Sequence, residues 1–567
     1  MPTTLGFWYE RDGYDTGGQR LLGRQAAGEA FLRSLLKHTA AERLYCVAHN
    51  REQHKDCVAR AQSWQVNREL AFLPADDPAR LAEAGIVYRP DPGLPDLAWL
   101  RRFGDQRAYS LCGVTHTICT KEVMRLFGQL AIAPVQPWDA LICTSTAVKV
   151  AVERTLAEWT EYLALRCGGK PAVPLQLPVI PLGIEAASFA ASKETQSIRA
   201  GLRKTLDIAE NDLVLLYVGR LNFYAKAHPI PMYLAVERAF KAATSGRGPG
   251  VGSRGSGVGK LHLLQVGWFE QEREEKAFKQ AAKMFCPSVP CVFLDGRRPE
   301  IRRQAWAAAD LFVSLSDNIQ ETFGLTPLEA MAAGLPVVCT DWDGYQETVR
   351  HEIDGFRIPV TLPPAGSGVE LARDYLSDRL MYNAYIGRAC QSTAADIDAV
   401  TRAIVALIEQ PALRAKMGAA GRERAAGEFD WPVIIRRYEA LWDELAELRS
   451  RATETAPLTA GVPAHPLCDD PFRAFGHYSE RHLHPAMVLA LGESGTVTQF
   501  TLLLKDWMGS FGGDRRLTQP EFTALLDHLK NIGPAPLAEF LRIYPGREAE
   551  VYRTIGWLLK FDVVQAK

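Results

Sequence analysis

The residues from 317 to 336 form the densest group of side chains that could carry chemistry. Two acids, Glu321 and Glu329, stand eight positions apart in this stretch, just after an apolar run. Glycoside hydrolases use paired carboxylates, one on each side of the scissile bond. A purely structural interpretation is also open, because Thr326 and Glu329 have the spacing of a helix capping box and Glu321 would then be an exposed loop acid.

Two cations and a histidine also follow apolar runs. Arg220 and Lys226 are six positions apart after Leu213–Val218, and His116 comes after Tyr109–Val114. Two cations behind a buried strand can stabilise negative charge that develops on phosphate oxygens, although an isolated pair would be interpreted as surface charge. Open α/β folds bind ligands at the carboxyl ends of their strands, so these positions predict a functional site.

A glycine-rich stretch joins the opening apolar run to the segment after it. It reads Gly13-Tyr14-Asp15-Thr16-Gly17-Gly18-Gln19. Glycines at such a place let backbone N–H groups approach an anion at a helix N-terminus. A plain turn is the alternative interpretation.

The elements that would position these residues alternate between strand and helix. The predicted strands are Leu5–Glu10, Leu44–Ala48, Tyr109–Val114 and Ala140–Thr144, then Leu213–Val218, Leu261–Val266, Cys291–Leu294, Leu311–Leu315 and Pro336–Thr340. Helix-period segments lie between them. This alternation predicts an α/β fold with two units in tandem, each a mostly parallel sheet covered by helices, and a proline-rich stretch at 171–181 separates the units.

The chain continues beyond the second α/β unit. Asp430 and Pro432 predict the start of an amphipathic helix, and the Thr-, Ala- and Pro-rich residues that follow it predict a linker. A capping box at Thr518-Gln519-Pro520-Glu521 begins one helix of a mainly helical last module. The predicted domains are 1–185, 186–428, a returning helix at 429–450, a linker at 451–470 and an accessory module at 471–567.

Composition excludes several classes of protein. The chain has 65 Lys and Arg against 66 Asp and Glu, so no global field attracts nucleic acid. Its eleven cysteines include no C-x-x-C pair, which favours reduced thiols. Neither a signal-peptide pattern nor an apolar run of about 18 residues is present. We therefore expect a cytoplasmic protein, with peripheral attachment to the inner face of a membrane left open.

Three motifs resemble those of one enzyme family. Asp317–Pro336 resembles the E-x7-E signature of the GT4 family of retaining glycosyltransferases, whose GT-B fold has two Rossmann-like domains facing each other across a cleft. Val218–Lys226 is similar to the G-R…K motif of that family, and Gly13–Gln19 is similar in wording to sucrose synthases and sucrose-phosphate synthases. The resemblance covers residues 1 to about 448 and leaves the C-terminal extension outside it.

The resemblance implies roles for individual residues. Glu321 would lie beside hydroxyls of the donor sugar, and Glu329 would hold the ribose hydroxyls of the nucleotide. Arg220 and Lys226 would stabilise the departing diphosphate, and His116 would touch the donor sugar. The other donor-binding positions that it implies are Gly17, Gly18, Gly219, Arg297, Phe323, Gly324 and Leu325.

The predicted function is transfer of a sugar from a UDP- or GDP-sugar to an unidentified acceptor, with retention and with no metal or other cofactor required. Asp341-Trp342-Asp343 has the D-x-D pattern of a cation site but is interpreted as a loop, and the histidine-rich stretch at 465–484 as a polar linker. The acceptor classes left open are saccharide, lipid-linked, small molecule and protein. Residues 471–567 would dock the acceptor or a protein partner.

Two alternatives to this function stay open. One is a sucrose- or trehalose-type synthase, or a disaccharide phosphorylase, of the same fold. The other is a non-catalytic scaffold that binds a sugar nucleotide.

Overall fold

The computed structural model of the chain describes residues 4–15, 23–190, 192–244, 259–453, 458–459, 461–494 and 497–567. These residues divide into two compact units, Met1–His465 and Pro466–Lys567. The first unit contains two α/β domains, each built on a parallel sheet.

The strands of the first sheet are β1 (Leu5–Trp8), β2 (Leu44–Ala48), β3 (Leu70–Pro74), β4 (Ile86–Tyr88), β5 (Ser110–Val114) and β6 (Ala140–Ile142). Within the described ranges they form one six-stranded parallel sheet in the order β3-β2-β1-β4-β5-β6. The four predicted strands are confirmed, and β3 and β4 were not predicted. A three-residue strand such as β4 is too short to show a period, and its pairing with β1 and β5 decides its form.

Helices cover both faces of this sheet. They are α1 (Arg11–Tyr14), α2 (Gly23–His38), α3 (Arg51–Ser63), α4 (Pro78–Leu81), α5 (Leu94–Arg101), α6 (Lys121–Leu130) and α7 (Thr146–Cys167). Alternate residues of β4 enter two different cores, Ile86 and Tyr88 on one face and Val87 on the other. The sheet is therefore buried on both sides, as parallel sheets usually are.

The second sheet repeats the connectivity of the first. Its strands are β7 (Leu213–Val218), β8 (Leu261–Gly267), β9 (Cys291–Asp295), β10 (Leu311–Ser314), β11 (Val337–Thr340) and β12 (Gly355–Ile358). Across the described residues their order is β12-β11-β10-β7-β8-β9, which is the order of the first sheet read from the other edge. The five predicted strands are confirmed. So is the predicted α/β fold of two Rossmann-like domains.

The helices of the second domain are α8 (Lys193–Thr205), α9 (Pro229–Thr244), α10 (Glu272–Phe285), α11 (Pro299–Ala308), α12 (Leu325–Ala332), α13 (Tyr345–Thr348), α14 (Val369–Leu376), α15 (Tyr382–Cys390), α16 (Ile397–Glu409) and α17 (Pro411–Glu428). A short antiparallel ribbon, β13 (Val360–Thr361) with β14 (Ala394–Ala395), brackets α14 and α15.

A long helix, α18 (Trp431–Arg451), returns to the first domain. Its buried residues Trp431, Ile435 and Trp442 belong to the core cluster that β1 and α2 also form. Asp430 occupies the N-cap position, but its carboxylate accepts from the backbone N–H of Ala186 instead of from the helix. It thereby ties the start of α18 to the chain segment between the two domains.

The second unit contains α19 (Pro471–Ala474), α20 (Val497–Lys505), α21 (Trp507–Ser510), α22 (Gln519–Ile532), α23 (Leu537–Ile543) and α24 (Glu548–Lys560). The predicted capping box of Thr518 and Glu521 is confirmed at the start of α22. An antiparallel sheet, not predicted, joins β15 (Val488–Leu491) to β16 (Ala535–Pro536) and β17 (Val564–Ala566). Strands this short show no local period, so the prediction of a mainly helical module missed them.

Every helix in the described part of the chain is too short or too polar to span a lipid bilayer.

Candidate active site

The site lies where the strand order of the second sheet reverses. Strands β7 and β10 are neighbours at its centre, although β8 and β9 come between them in the chain. Arg220 and Lys226 follow β7, and Glu321 follows β10. Such a reversal leaves a crevice at the carboxyl ends of the two strands, which is where open α/β sheets bind ligands.

Lys226 and Glu321 form an ion pair across this crevice. Their side chains are only 22% and 12% exposed. Asn222 fixes the loop that carries Lys226, because its side-chain oxygen accepts from Tyr224 N at 3.1 Å and Ala225 N at 2.8 Å. A charged pair withdrawn from water acts on a bound ligand more strongly than an exposed pair would.

Arg220 is held by a partner that the sequence analysis did not identify. Its Nη1 lies 3.3 Å from Oε1 of Glu270, and its Nη2 donates to the Ala225 carbonyl at 3.2 Å. Glu270 comes three residues after β8. The sequence signal that could have identified it is an acid that closely follows a predicted strand. The guanidinium is thereby fixed at the same sheet edge as Lys226.

Glu329 is a partly buried acid within α12 and not part of a capping box. The helix begins at Leu325 with Gly324 as its N-cap, so Thr326 is already inside the helix and its hydroxyl, in the described residues, has no hydrogen-bond partner. Burial raises the pKa of Glu329 to about 7, against the opposing charges of Arg302 and Lys226. The structural interpretation of Glu329 as a capping-box member is therefore wrong.

The turn before α12 requires glycine and keeps its side chains out of the crevice. Gly324 has a φ of +84°, and a Cβ there would lie 1.9 Å from the ring of Tyr345. The ring of Phe323 is buried against Phe429, and Leu325 is partly buried in the same core. Residues 323–325 therefore offer backbone groups, including N–H groups of the first turn of α12, which no side chain caps.

Glycines stand at the carboxyl ends of β7, β8 and β9, so no side chain fills this part of the site. A Cβ at Gly267 would lie 1.9 Å from the carbonyl oxygen of Gly219, and the N–H of Gly296 donates to Gly267 O at 2.8 Å. Arg302, which the sequence analysis missed, donates to the Gly296 carbonyl at 2.7 Å. The Arg297 side chain forms a bidentate ion pair with Asp295, two positions before it in the chain.

The first domain brings His116 to the edge of its own sheet. His116 is partly buried in the loop that follows β5, three residues before Cys119. Cys119 Sγ lies 3.3 Å from the hydroxyl of Tyr382, so this loop contacts the second domain. Gly17 and Gly18, the other predicted site residues of this domain, lie outside the described residues.

A second contact between the domains lies beside the Glu321 loop. The Ser145 hydroxyl, at the N-cap of α7, donates to Asp343 Oδ1 at 3.0 Å, and the N–H of Thr146 donates to Glu347. Burial raises the pKa of Asp343 to about 7, and the charge of Glu321 adds to this effect although the Ser145 hydroxyl opposes it.

The two acids of the D-x-D pattern have separate partners, because Asp341 lies 3.4 Å from Arg357. Among the described residues, no group of three His, Cys, Asp or Glu side chains could hold a metal ion.

Residues 212–368 match a family model described as "Glycosyl transferases group 1". The curated relatives include the lipopolysaccharide 1,2-N-acetylglucosaminetransferase of Salmonella typhimurium, 28% identical over 32% of this chain and 44% of its own length. They also include a D-inositol 3-phosphate glycosyltransferase of Geodermatophilus obscurus, 26% identical over 63% of this chain and 66% of its own length. The chain thus spans less than two thirds of either relative.

Among solved structures, the Anabaena protein Alr3699/HepE in complex with UDP and glucose has a TM-score of 0.48 at 17% identity, over 78% of this chain and 100% of its own. The sucrose-phosphate synthase of Thermosynechococcus elongatus has a TM-score of 0.44 at 16% identity, over 78% and 99%. The part of the chain that holds Arg220, Lys226, Glu321 and Glu329 is therefore the part that matches group 1 glycosyltransferases in sequence.

Proposed function

We propose that this protein is a glycosyltransferase that transfers a sugar from a nucleoside diphosphate sugar to an acceptor, with retention of configuration and without a metal. One observation carries the proposal. The partly buried pair of Lys226 and Glu321 lies beside Glu329, within the segment that matches group 1 glycosyltransferases.

The cations of the site suit a departing diphosphate. When the bond between the anomeric carbon and the phosphate oxygen breaks, negative charge grows on the diphosphate, and Arg220 and Lys226 would stabilise that charge. The acceptor hydroxyl oxygen then bonds to the anomeric carbon, and its proton passes to the departing diphosphate. Glu270 and Glu321 hold the two cations in place before a donor arrives, so they need little rearrangement when it binds.

The neighbouring groups suit the rest of a nucleotide sugar. Glu329 would accept hydrogen bonds from ribose hydroxyls, and Glu321 would contact hydroxyls of the transferred sugar. The uncapped first turn of α12, with Phe323, Gly324 and Leu325, would bind phosphate oxygens through its N–H groups.

The remaining predicted positions complete this arrangement. Gly219 and the backbone at Arg297 lie at the glycine-lined ends of β7, β8 and β9, where the flat base of the nucleotide could approach. From the first domain, His116 would reach the sugar, and Gly17 and Gly18 the phosphate side. We keep both UDP- and GDP-sugars as candidate donors.

The acceptor would dock on the first domain. The relatives named above act on lipopolysaccharide and on D-inositol 3-phosphate, so a saccharide, a lipid-linked molecule and a small polar alcohol are all reasonable trial acceptors. We place the reaction in the cytoplasm, where the eleven cysteines would stay reduced, or at the inner face of a membrane, with 471–567 as a docking module.

Thermal stabilisation by UDP, GDP, ADP and their sugar conjugates tests the proposal. A ligand at a hundred times its Kd adds about 2.7 kcal/mol to stability, which a melting curve detects. We expect a shift with one nucleotide in the wild type and a smaller one in Glu329→Gln. No shift with any of these ligands would contradict a donor site of this kind.

Turnover then separates the enzyme from the alternatives. A transferase releases nucleoside diphosphate when an acceptor is added, whereas a disaccharide phosphorylase requires inorganic phosphate. Nucleotide binding without turnover on any trial acceptor would favour a scaffold protein.

A further inference from the structure

Residues 362–393 form a segment outside the second sheet, here called the helical hairpin. Ribbon β13-β14 closes its base, with Val360 paired to Ala395 and Thr361 to Ala394. Its two helices are α14 and α15. The hairpin contacts all three loops that carry the predicted catalytic residues, and these contacts give it a role that the sequence did not indicate.

Helix α15 packs directly on the loop that holds Arg220 and Lys226. A Cβ at Gly387 would lie 2.7 Å from the Cβ of Tyr224, which is in that loop. One turn further along α15, the Cys390 thiol lies 3.7 Å from the Phe223 carbonyl oxygen. This close approach needs a residue without a side chain at 387, and it fixes the distance between α15 and the loop.

The hydroxyl of Tyr382 connects this loop with the Glu321 loop and with the first domain. It donates to Gln320 Oε1 at 2.9 Å, and Cys119 Sγ lies 3.3 Å from it. Because the hydroxyl gives its single proton to Gln320, the Cys119 thiol is the donor in the second bond. Gln320 Nε2 in turn donates to the Ala225 carbonyl at 3.0 Å.

The Ala225 carbonyl also accepts from Arg220, at 3.2 Å. The chain of hydrogen bonds that starts at Cys119 in the first domain thus ends on the guanidinium proposed to stabilise the leaving group.

The hairpin is held to the first domain by a second group of contacts. Lys121 Nζ lies 2.5 Å from Asp378 Oδ1 and 4.8 Å from the ring centre of Tyr375. The backbone N–H of Lys121 also donates to the Tyr375 hydroxyl at 3.3 Å. Cys119 belongs to the loop that carries His116, and Lys121 begins α6 where that loop ends, so the hairpin holds the loop at two points.

We propose that the helical hairpin sets the position of the His116 loop against Arg220 and Glu321, and that Tyr382 is the positioning residue at their junction. The catalytic part of this proposal rests on the proposed function. Three loops from two domains must meet for the transfer step. The Tyr382 hydroxyl bonds to the His116 loop through Cys119 and to the Glu321 loop through Gln320. Gln320 in turn connects it to the Arg220 loop. Without it, the loops can still form, but their relative position is less tightly fixed.

Tyr382→Phe is the test, with Tyr385→Phe as its matched control. The first change removes only the shared hydroxyl. Tyr385 lies on the same helix and stacks on Tyr375 with 4.4 Å between ring centres, and its hydroxyl has no hydrogen bond within the described residues. Both variants keep an aromatic ring of the same size at the position.

Hydrogen exchange of the full chain is measured first, because it needs no substrate. We expect Tyr382→Phe to raise amide exchange by at least about twofold in peptides that cover 115–121 and 220–226, and Tyr385→Phe to leave both unchanged. Unchanged exchange in both peptides of Tyr382→Phe would overturn the proposal.

Donor turnover is measured second, as release of UDP or GDP from the nucleotide sugar that binds. In Tyr382→Phe we expect kcat to fall roughly three- to tenfold while the donor KM stays within about twofold, since the lost bond orients groups that act in the transition state. A raised KM with unchanged kcat would contradict a positioning role. If the wild type turns over no donor while exchange responds as expected, the proposed function fails and the positioning of the loops stands.

Cys119→Ala gives an independent arm in case Tyr382→Phe does not fold. It removes the partner of Tyr382 in the first domain, so we expect faster exchange at 115–121. In the double variant the two effects on kcat should be less than additive, because both changes remove the same connection. Full additivity would show that Cys119 and Tyr382 act separately, against the proposal.

Discussion

The two Rossmann-like domains share one connectivity but differ in what stands at the reversal of the strand order. In the second domain, the pair at this point is Lys226 and Glu321, with side chains 22% and 12% exposed. In the first domain, Glu10 follows β1 and Arg89 follows β4, and the Glu10 side chain is 47% exposed. Glu10 accepts from the Trp8 indole at 2.8 Å, and the Arg89 guanidinium lies over the same ring.

The difference in exposure lies in the acids, because the two cations are about equally exposed, Arg89 at 20% and Lys226 at 22%. Charges withdrawn from water keep their full effect on a charge that develops nearby, whereas exposed charges are screened and contribute little. The pair in the second domain therefore suits the leaving-group role proposed above, since the acid that holds its cation is only 12% exposed. At the corresponding place in the first domain, the half-exposed Glu10 lies beside a buried indole, since Trp8 is only 5% exposed.

The largest effect is expected from removing the cation of the partly buried pair. Lys226→Ala should lower kcat about a hundredfold, because it removes one preorganised charge from the leaving group. Lys279→Ala is the control, since Lys279 pairs with Glu275 at 2.6 Å on an exposed face of α10 and should change kcat less than about twofold. Equal rates for the two variants would remove the distinction between the partly buried pair and the exposed one.

Glu329→Gln should weaken nucleotide binding about tenfold near pH 8, since a carboxylate accepts ribose hydroxyls more strongly than an amide does. The pKa of about 7 also predicts pH dependence. Below it the carboxyl holds its proton, so wild-type affinity should rise from about pH 6 to about pH 8. Titration calorimetry at both pH values measures this. If the affinity of Glu329→Gln rises equally between these pH values, the titrating groups are the nucleotide phosphates and not Glu329.

A smaller effect concerns Asp343, which joins the two domains through Ser145. Its pKa is raised to about 7, above that of an ordinary aspartate, so the folded state binds the proton more tightly than the unfolded chain. The resulting stability is fully present below about pH 4 and is lost as pH rises through about 7.

Relative to Asp343→Asn, the wild type should therefore lose on the order of 1 kcal/mol between about pH 5 and about pH 8. Urea unfolding at both pH values is the measurement. An equal pH dependence in the two proteins would place the titrating group elsewhere, for instance at Asp317, whose pKa burial also raises to about 7.

The smallest effect is expected at the exposed edge of the first domain. Glu10→Gln keeps the size of the side chain and its acceptor for the Trp8 indole, so nucleotide affinity should change less than about twofold. The same calorimetric titration tests this. A loss as large as that of Glu329→Gln would mean that the Glu10 carboxylate also holds the nucleotide, and the contrast between the two acids would disappear.

Most of the sheet architecture could be predicted from local patterns. Runs such as Leu213–Val218 and Leu44–Ala48 are apolar along their whole length, which is the pattern of strands buried on both faces. Strand β4 and the sheet of the second unit could not be predicted, because pairing with neighbours and not sequence period makes so short a segment a strand. The capping-box interpretation of Glu329 failed for a similar reason, since the close contact of Gly324 with Tyr345 decides where α12 begins.

The sequence by itself determined which residue types stand at the ends of the strands, because a strand and the loop after it are consecutive in the chain. Only the tertiary structure decided which of them meet. Lys226 pairs with Glu321 from 95 positions away because β7 and β10 are neighbours, and Arg220 pairs with Glu270 because β8 lies on the other side of β7.

The contact of Tyr382 with Cys119 joins residues 263 positions apart in two different domains. No local pattern encodes such a contact. It exists because the packing of α15 on the Arg220 loop carries the hydroxyl to the first domain.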